Sequence, residues 1–240
     1  MNAKAVVVAS LIVVAGLVGL VLFLSAGEGT TVYVPDDAAR HRERGEFLLN
    51  KRRHTTDRVK KAELLSEAIK EFKKAIEIKP DFAVAHNMLG HCYIEAGNWQ
   101  AALKHLDRAL ELRPDYPAAL FNRAQLRHRL AATRRGHELI DQAIKDYRKA
   151  LESDLAAAFK GDILKSLADA YRIRGEYGKA IETLRSYLKY APHAPDAALI
   201  LRRIRGLELM EKSRKNSSKN PSGQKGQEQA ENRPAAPGAR

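Results

Sequence analysis

Between about residue 38 and residue 211 apolar residues recur at three- and four-residue spacing, with Lys, Arg, Asp and Glu between them. Such spacing puts one apolar stripe on a helix and charges on the rest, so it predicts amphipathic helices. Aligning "AIKEFKKAIEIKP" (Ala68 to Pro80) with "ALKHLDRALELRP" (Ala102 to Pro114) pairs Ala68 with Ala102, Phe72 with Leu106, Ala75 with Ala109 and Pro80 with Pro114, always 34 residues apart. A third copy, "AIKDYRKALESDL", keeps Ala143, Tyr147 and Ala150; a fourth, "AIETLRSYLKYAP", keeps Leu184 and ends on Pro192. Each copy is the second helix of a pair. The first helices include "AVAHNMLGHCYIEAGNW", with Leu89, Gly90 and Tyr93 and a stop at Gly97, and "GDILKSLADAYRIRGEY", with Leu167, Ala168 and Tyr171 and a stop at Gly175. Glycine ends a helix readily because it adopts the left-handed conformation without strain. The small residue in mid-helix lets paired helices approach closely.

This pattern resembles the tetratricopeptide repeat (TPR), a 34-residue helix-turn-helix unit with W-x2-L-G-x2-Y in its first helix and Ala, Phe, Ala and Pro in its second. Residues 83–116 match at Leu89, Gly90, Tyr93, Ala102, Ala109 and Pro114, with Leu106 for Phe and His86 for Trp. The resemblance implies an all-α fold: a right-handed α-α superhelix (a TPR solenoid) over residues 38–211. Its repeats are 38–82, 83–116, 117–160 and 161–192, and a capping helix spans 193–211. The first and third repeats are longer than 34 residues, and most of the excess falls around the turn between the paired helices, in "NKRRHTTDRVKKAELL" and "RLAATRRGHELID", as an insertion or as longer helices.

The two ends do not share the pattern. Ala5 to Leu24 hold no charge ("AVVVASLIVVAGLVGLVLFL"), a run long enough to cross a bilayer as a helix. Residues 1–27 therefore read as a transmembrane anchor and 28–37 as a linker; a cleaved signal peptide is the competing reading, although secretory apolar cores are usually shorter. From Lys212 the chain turns to Ser, Asn, Gln, Gly and Pro, with seven Lys/Arg against two Glu. Residues 212–240 are thus expected to be a disordered basic tail. Lys4 favours a cytoplasmic N-terminus under the rule that counts Lys and Arg. The expectation is a single-pass membrane protein; in a bacterium this places the repeats in the periplasm, on the inner membrane. A cytosol-facing repeat receptor on an organelle membrane is the alternative.

Candidate chemistry changes the picture little. No phosphate-binding glycine loop, nucleophile elbow or paired-His metal motif occurs, so no enzyme activity, cofactor or metal is expected. "HNMLGHCYIEAGNW" gathers His86, His91 and Cys92, the one cysteine. On a helix, however, His86 and His91 lie about 140° apart and Cys92 about 120° from His86, which does not suit a shared ion.

The resemblance implies binding of a peptide segment of another protein in the concave groove lined by the first helices. Counting along each repeat, the candidate groove residues are Arg42, Glu46, Asn87, His91, Gln125, Arg129, Lys165, Asp169 and Arg172. The family's clamp on a C-terminal carboxylate would need cations and amides where this chain has Arg42, Glu46, Met88, Ala118 and Asn122. That set does not hold a carboxylate pair. A second surface is suggested by a basic edge in the insertions, Lys51, Arg52, Arg53, Lys60, Lys61, Arg134 and Arg135, with Arg123, Arg127 and Arg129 just before the second of them. It could face an acidic partner or anionic lipid. Nucleic acid is not expected, because the aromatic residues fall at packing positions of the repeats and form no stacking platform.

The functional expectation is a membrane-tethered scaffold or adaptor within a membrane-associated assembly.

Overall fold

A computed structural model describes residues 36–134 and 136–219, without side chains for 132–134 and 218–219. The apolar run from Ala5 to Leu24, the linker up to Pro35 and the tail beyond Lys219 lie outside them. Among the described residues no helix is long and apolar enough to cross a membrane.

The described chain is helical throughout. α1 (Asp37–His54) pairs with α2 (Arg58–Ile78), α3 (Ala83–Glu95) with α4 (Trp99–Leu112), α5 (Pro117–Arg134) with α6 (His137–Leu151), and α7 (Lys160–Ile173) with α8 (Tyr177–Tyr190). A short 3-10 turn (Asp154–Phe159) joins the third pair to the fourth, and α9 (Ala197–Lys219) packs on α8. Each pair otherwise touches mainly its neighbours in sequence, the layout of a solenoid.

Local signals explain where the helices begin and end. Asp57 caps α2 by accepting from the backbone N–H of Val59 (2.8 Å) and Lys60 (3.2 Å), and Asn98 caps α4 through Ala101 (3.1 Å). Each satisfies donors that the first helical turn leaves without partners. α3 and α7 end on Gly97 and Gly175, at φ 76° and 77°. Past each glycine the chain folds back: Asn98 N–H donates to Tyr93 O (2.9 Å) and Glu176 N–H to Tyr171 O (2.8 Å). This six-to-one bond closes the last turn and needs the left-handed residue between.

The 34-residue register becomes the core. Ala68, Ala102, Ala143 and Ala180 are fully buried, as are Phe72, Leu106, Tyr147 and Leu184 one turn on. Burying each of the large side chains contributes about 1.5–3 kcal/mol. The small positions admit them: a Cβ on Gly45 would lie 2.6 Å from Phe72 Cζ, and one on Gly90 2.7 Å from Leu106 Cγ.

Of the two readings of the long repeats, longer helices hold and insertions do not, and the start of the tail needs correction. The excess residues of the first repeat do not form an insertion between helices, because α1 runs unbroken to His54 and only Thr55–Asp57 separate it from α2. α5 is likewise an elongated helix, and the rest of the third repeat's excess lies in the 3-10 turn. The terminal helix α9 continues to Lys219, eight residues into the segment expected to be a disordered tail. An ion pair helps hold it there: Lys215 Nζ reaches Glu211 at 3.0 Å, one turn back.

The third pair is tied to the second by charge. Arg123 on α5 donates through Nε and Nη2 to the two oxygens of Asp146 on α6 (2.9 and 2.7 Å) and through Nη1 to Asp107 on α4 (2.8 Å). Arg127, one turn on, adds a bond to Asp146 at 2.7 Å. Asp146 is only 6% exposed, so both guanidiniums are needed to offset its desolvation.

Candidate functional site

The first helices of the pairs carry the inner surface. α1, α3 and α5, closed at one end by Phe159 of the 3-10 turn, enclose a groove of about 700 Å³. Its apolar lining includes Leu49, Met88, Phe121 and Phe159. Phe121 lies against Phe159 and against the buried Tyr147, with ring centroids 5.6 and 6.0 Å apart, so this wall is anchored in the core. Asn50, Asn87 and Asn122 supply amides, and Glu46, Glu95, Arg52, Arg53 and His91 supply charge or titratable groups.

Of the residues expected in the groove, Glu46, Asn87 and His91 line it. Arg42 stands beside it, donating to Glu46 at 2.7 Å. Asn87 is not a free contact group: it is 3% exposed, its Oδ1 accepts from Asn122 Nδ2 at 2.9 Å, and its Nδ2 donates at 3.5 Å to Tyr116 Oη. Asn122 is the amide left facing the cavity, with its own carbonyl oxygen available. Burial raises the pKa of the Tyr116 phenol, so it stays protonated.

The remaining expected residues lie outside this cavity. Gln125 and Arg129 are exposed further along α5, and the Arg129 guanidinium sits over Trp99, 5.2 Å from the ring centre. Lys165 bonds Asp196 at 3.2 Å, just before α9, and pairs with Asp162 at 3.3 Å. Asp169 accepts from Arg203 of α9 and from Arg172 (3.1 Å). Burial pushes the Asp169 carboxyl up, but these two guanidiniums outweigh it and hold the pKa below the ordinary value. The inner side chains of α7 are therefore engaged by the terminal helix.

The expected basic edge does not hold together. With α1 helical to its end, Arg53 turns into the groove, and so does Arg52, which reaches Glu95 at 2.6 Å and the carbonyl of Lys61 at 3.2 Å. Lys60 pairs with Glu63 at 2.8 Å, Lys61 is half-buried, and Lys51 remains exposed. Arg123 and Arg127 belong to the interior network described above. Arg135 and the side chain of Arg134 lie outside the described residues.

The histidines settle into pairs the sequence spacing did not suggest. His86 Nε2 lies 3.1 Å from the carbonyl of Pro80, which can only accept, so that nitrogen carries a proton. In the neutral ring Nδ1 is then an acceptor, and it lies 3.1 Å from His105 Nδ1, which donates. Tyr93 also stacks on His105, with ring centroids 5.6 Å apart. Burial lowers the pKa of His86, and burial together with His86 lowers that of His105 to about 4. Cys92 is buried, and burial pushes its thiol up to about 12, which keeps it from acting as a thiolate. Among the described residues no three His, Cys, Asp or Glu side chains converge on a metal position.

Models of the tetratricopeptide repeat match residues 61–120 and 129–198. Among solved structures, the chain is similar to PilF of Pseudomonas aeruginosa (TM-score 0.57, 17% identity, covering 74% of this chain and 70% of that one). It is also similar to MamA of Desulfovibrio magneticus RS-1 (TM-score 0.56, 15% identity, 82% and 98%). YrrB, described as a TPR protein with an unusual peptide-binding site, gives a TM-score of 0.52 at 20% identity, covering 69% and 74%. No curated protein matches the sequence. Likenesses at these identities speak for the fold.

Proposed function

Since the chain belongs to the tetratricopeptide repeat family through residues 61–120 and 129–198, we propose that it is a membrane-tethered adaptor holding a segment of a partner protein against α1, α3 and α5. The observation that carries this reading is the groove itself, a cavity of about 700 Å³ with Met88, Phe121 and Phe159 beside the amides of Asn50 and Asn122. An extended segment has unpaired backbone N–H and C=O groups along its length; the Asn50 amide offers a donor pair and an acceptor to them, and Asn122, whose nitrogen already donates to Asn87, offers its carbonyl oxygen. An apolar side chain from the same segment is desolvated between the aromatic rings. The groove is thus matched to a peptide rather than to a reaction. YrrB provides a precedent for peptide binding in the same fold.

The tether is the uncharged run from Ala5 to Leu24, with Lys4 on the cytoplasmic side and the repeats outside the cytoplasm. A bacterial inner-membrane protein with periplasmic repeats fits this arrangement, and a cytosol-facing receptor on an organelle membrane is the other orientation. A reporter fused after Arg240 and active only outside the cytoplasm separates the two; a silent fusion reverses the orientation. The groove is tested by placing a photo-crosslinking residue in the full-length chain at position 122 or, as a control, at exposed position 182 on α8. Partners should be trapped from 122 alone and lost when Phe121→Ala is added. Equal trapping at both positions would remove the groove from the function.

A further inference from the structure

The lining of the groove carries two carboxylates, Glu46 and Glu95, and two guanidiniums, Arg52 and Arg53, but these do not pair one to one. Of its carboxylates, Glu46 accepts from Arg42 at 2.7 Å and Glu95 is held by Arg52 at 2.6 Å. Arg53, on the same α1 wall, is exposed and forms no ion pair or hydrogen bond with any described residue. One turn of α1 separates it from Leu49, and α3 brings His91 to the same cavity. His91 Nδ1 is buried without a partner. A buried N–H without an acceptor is rarer than a bare lone pair, so the neutral ring keeps its proton on Nε2, the nitrogen left to the cavity. Burial lowers the pKa of His91; Glu95 opposes this, but Arg52 and Arg53 add to the lowering, so the ring is a neutral donor rather than a second cation. The groove is consequently asymmetric: a free guanidinium and a ring donor on the α1 and α3 side, and an aromatic wall on α5 and the 3-10 turn.

We infer that the segment held here is acidic and aromatic or aliphatic in alternation: the side chain of an Asp or Glu meets Arg53 and His91 Nε2–H, and an apolar side chain a few residues away enters between Met88, Phe121 and Phe159. One unpaired guanidinium matches one carboxylate, and a segment with Lys or Arg in that place would meet Arg53 as a like charge. The chain's formal net charge of +13 favours encounter with acidic segments in general. This inference rests on the peptide reading above and specifies its ligand.

The test uses the full-length chain in nanodiscs of neutral lipid, against two phage-displayed libraries of linear decapeptides, one fused at both ends and one with a free C-terminus. Enriched peptides should combine Asp or Glu with an aromatic or large aliphatic residue. In fluorescence polarisation with the most enriched peptide, changing its acidic residue to the amide should weaken binding about fivefold, the effect of losing one exposed ion pair. The same change should have almost no effect on the Arg53→Gln variant, whose exposed position leaves melting unchanged. Enrichment of apolar peptides without an acidic residue, or an equal effect of the amide on wild type and variant, overturns the acidic ligand and leaves peptide binding standing. Enrichment only when the peptides carry a free C-terminus assigns the subsite to a chain end and also overturns the inference. No enrichment at all brings down the peptide reading together with it.

Discussion

The inner surfaces of the two halves of the solenoid are built from the same repeat register and end up in different states. On α1, α3 and α5 the inward positions open onto a cavity, with Arg53 unpaired and Asn122 facing in. On α7 the corresponding side chains are already occupied, Lys165 by Asp196 and Asp169 by Arg203, because α9 takes the place where a ligand or another repeat would lie. A repeat position therefore does not have a fixed role; what the next helix brings to it decides whether it binds or braces.

The contrast can be broken most severely in the groove half, at the network that ties the third pair to the second. Asp146→Ala leaves Arg123 and Arg127 half-buried without their shared carboxylate, and urea unfolding should show a loss of about 3 kcal/mol. Asp169→Asn, in a far more exposed cluster, should cost no more than about 1 kcal/mol. Equal losses would mean that both halves are braced alike.

Acid sharpens the difference. His105 has its folded pKa lowered to about 4, against about 6.5 in the unfolded chain, so between those values the unfolded state binds more protons. Stability should be flat above pH 6.5 and fall as the pH drops toward 4, and His105→Gln should flatten that decline. The Asp169 carboxyl, held below its ordinary value, adds its loss only at lower pH, below about 4. Thermal melts from pH 8 to pH 3 distinguish the two windows; an unchanged decline in the variant would exclude the His86–His105 pair as its source.

Ligand binding separates the halves at smaller energies. Phe121→Ala should weaken a groove-selected peptide about tenfold, as for loss of a buried aromatic anchor. Lys165→Ala and Arg172→Ala should leave its affinity within about twofold, because Lys165 is held by Asp196 and Arg172 by Asp169, away from the cavity. A reversed order in fluorescence polarisation would place the site in the other half. The smallest change is at Cys92: Cys92→Ala should cost about 1 kcal/mol of packing and leave peptide affinity as it is. Iodoacetamide should label Cys92 only as the chain unfolds.

The fold could be read from the chain because its repeat is written in residues that meet one another. Ala102, Leu106 and Ala109 face Gly90 across one helix pair, and the same residue types recur at the same spacing elsewhere. The groove was less legible, for reasons that differ by residue. Asn87 sits on the expected face, yet its exposure depends on Asn122 and Tyr116, which lie 35 and 29 positions away. Counting 34 residues per repeat puts Arg52 and Arg53 in an insertion, whereas continuing the stripe from Arg42 and Glu46 by three and four residues reaches Leu49, Asn50 and Arg53. The His86–His105 pair joins two helices, so angles measured around α3 alone could not find it. Phe159 lies in the 3-10 turn, where no helical period applies.

Because each helix pair rests chiefly on its neighbours in sequence, the described chain is a set of links joined in series. Tension applied between Asp36 and Lys219 would pass through every junction in turn. Its mechanical resistance is then set by the weakest junction rather than by the sum of all of them. A partner lying across α1, α3 and α5 would clamp three successive first helices at once and shift the point of rupture toward the other end.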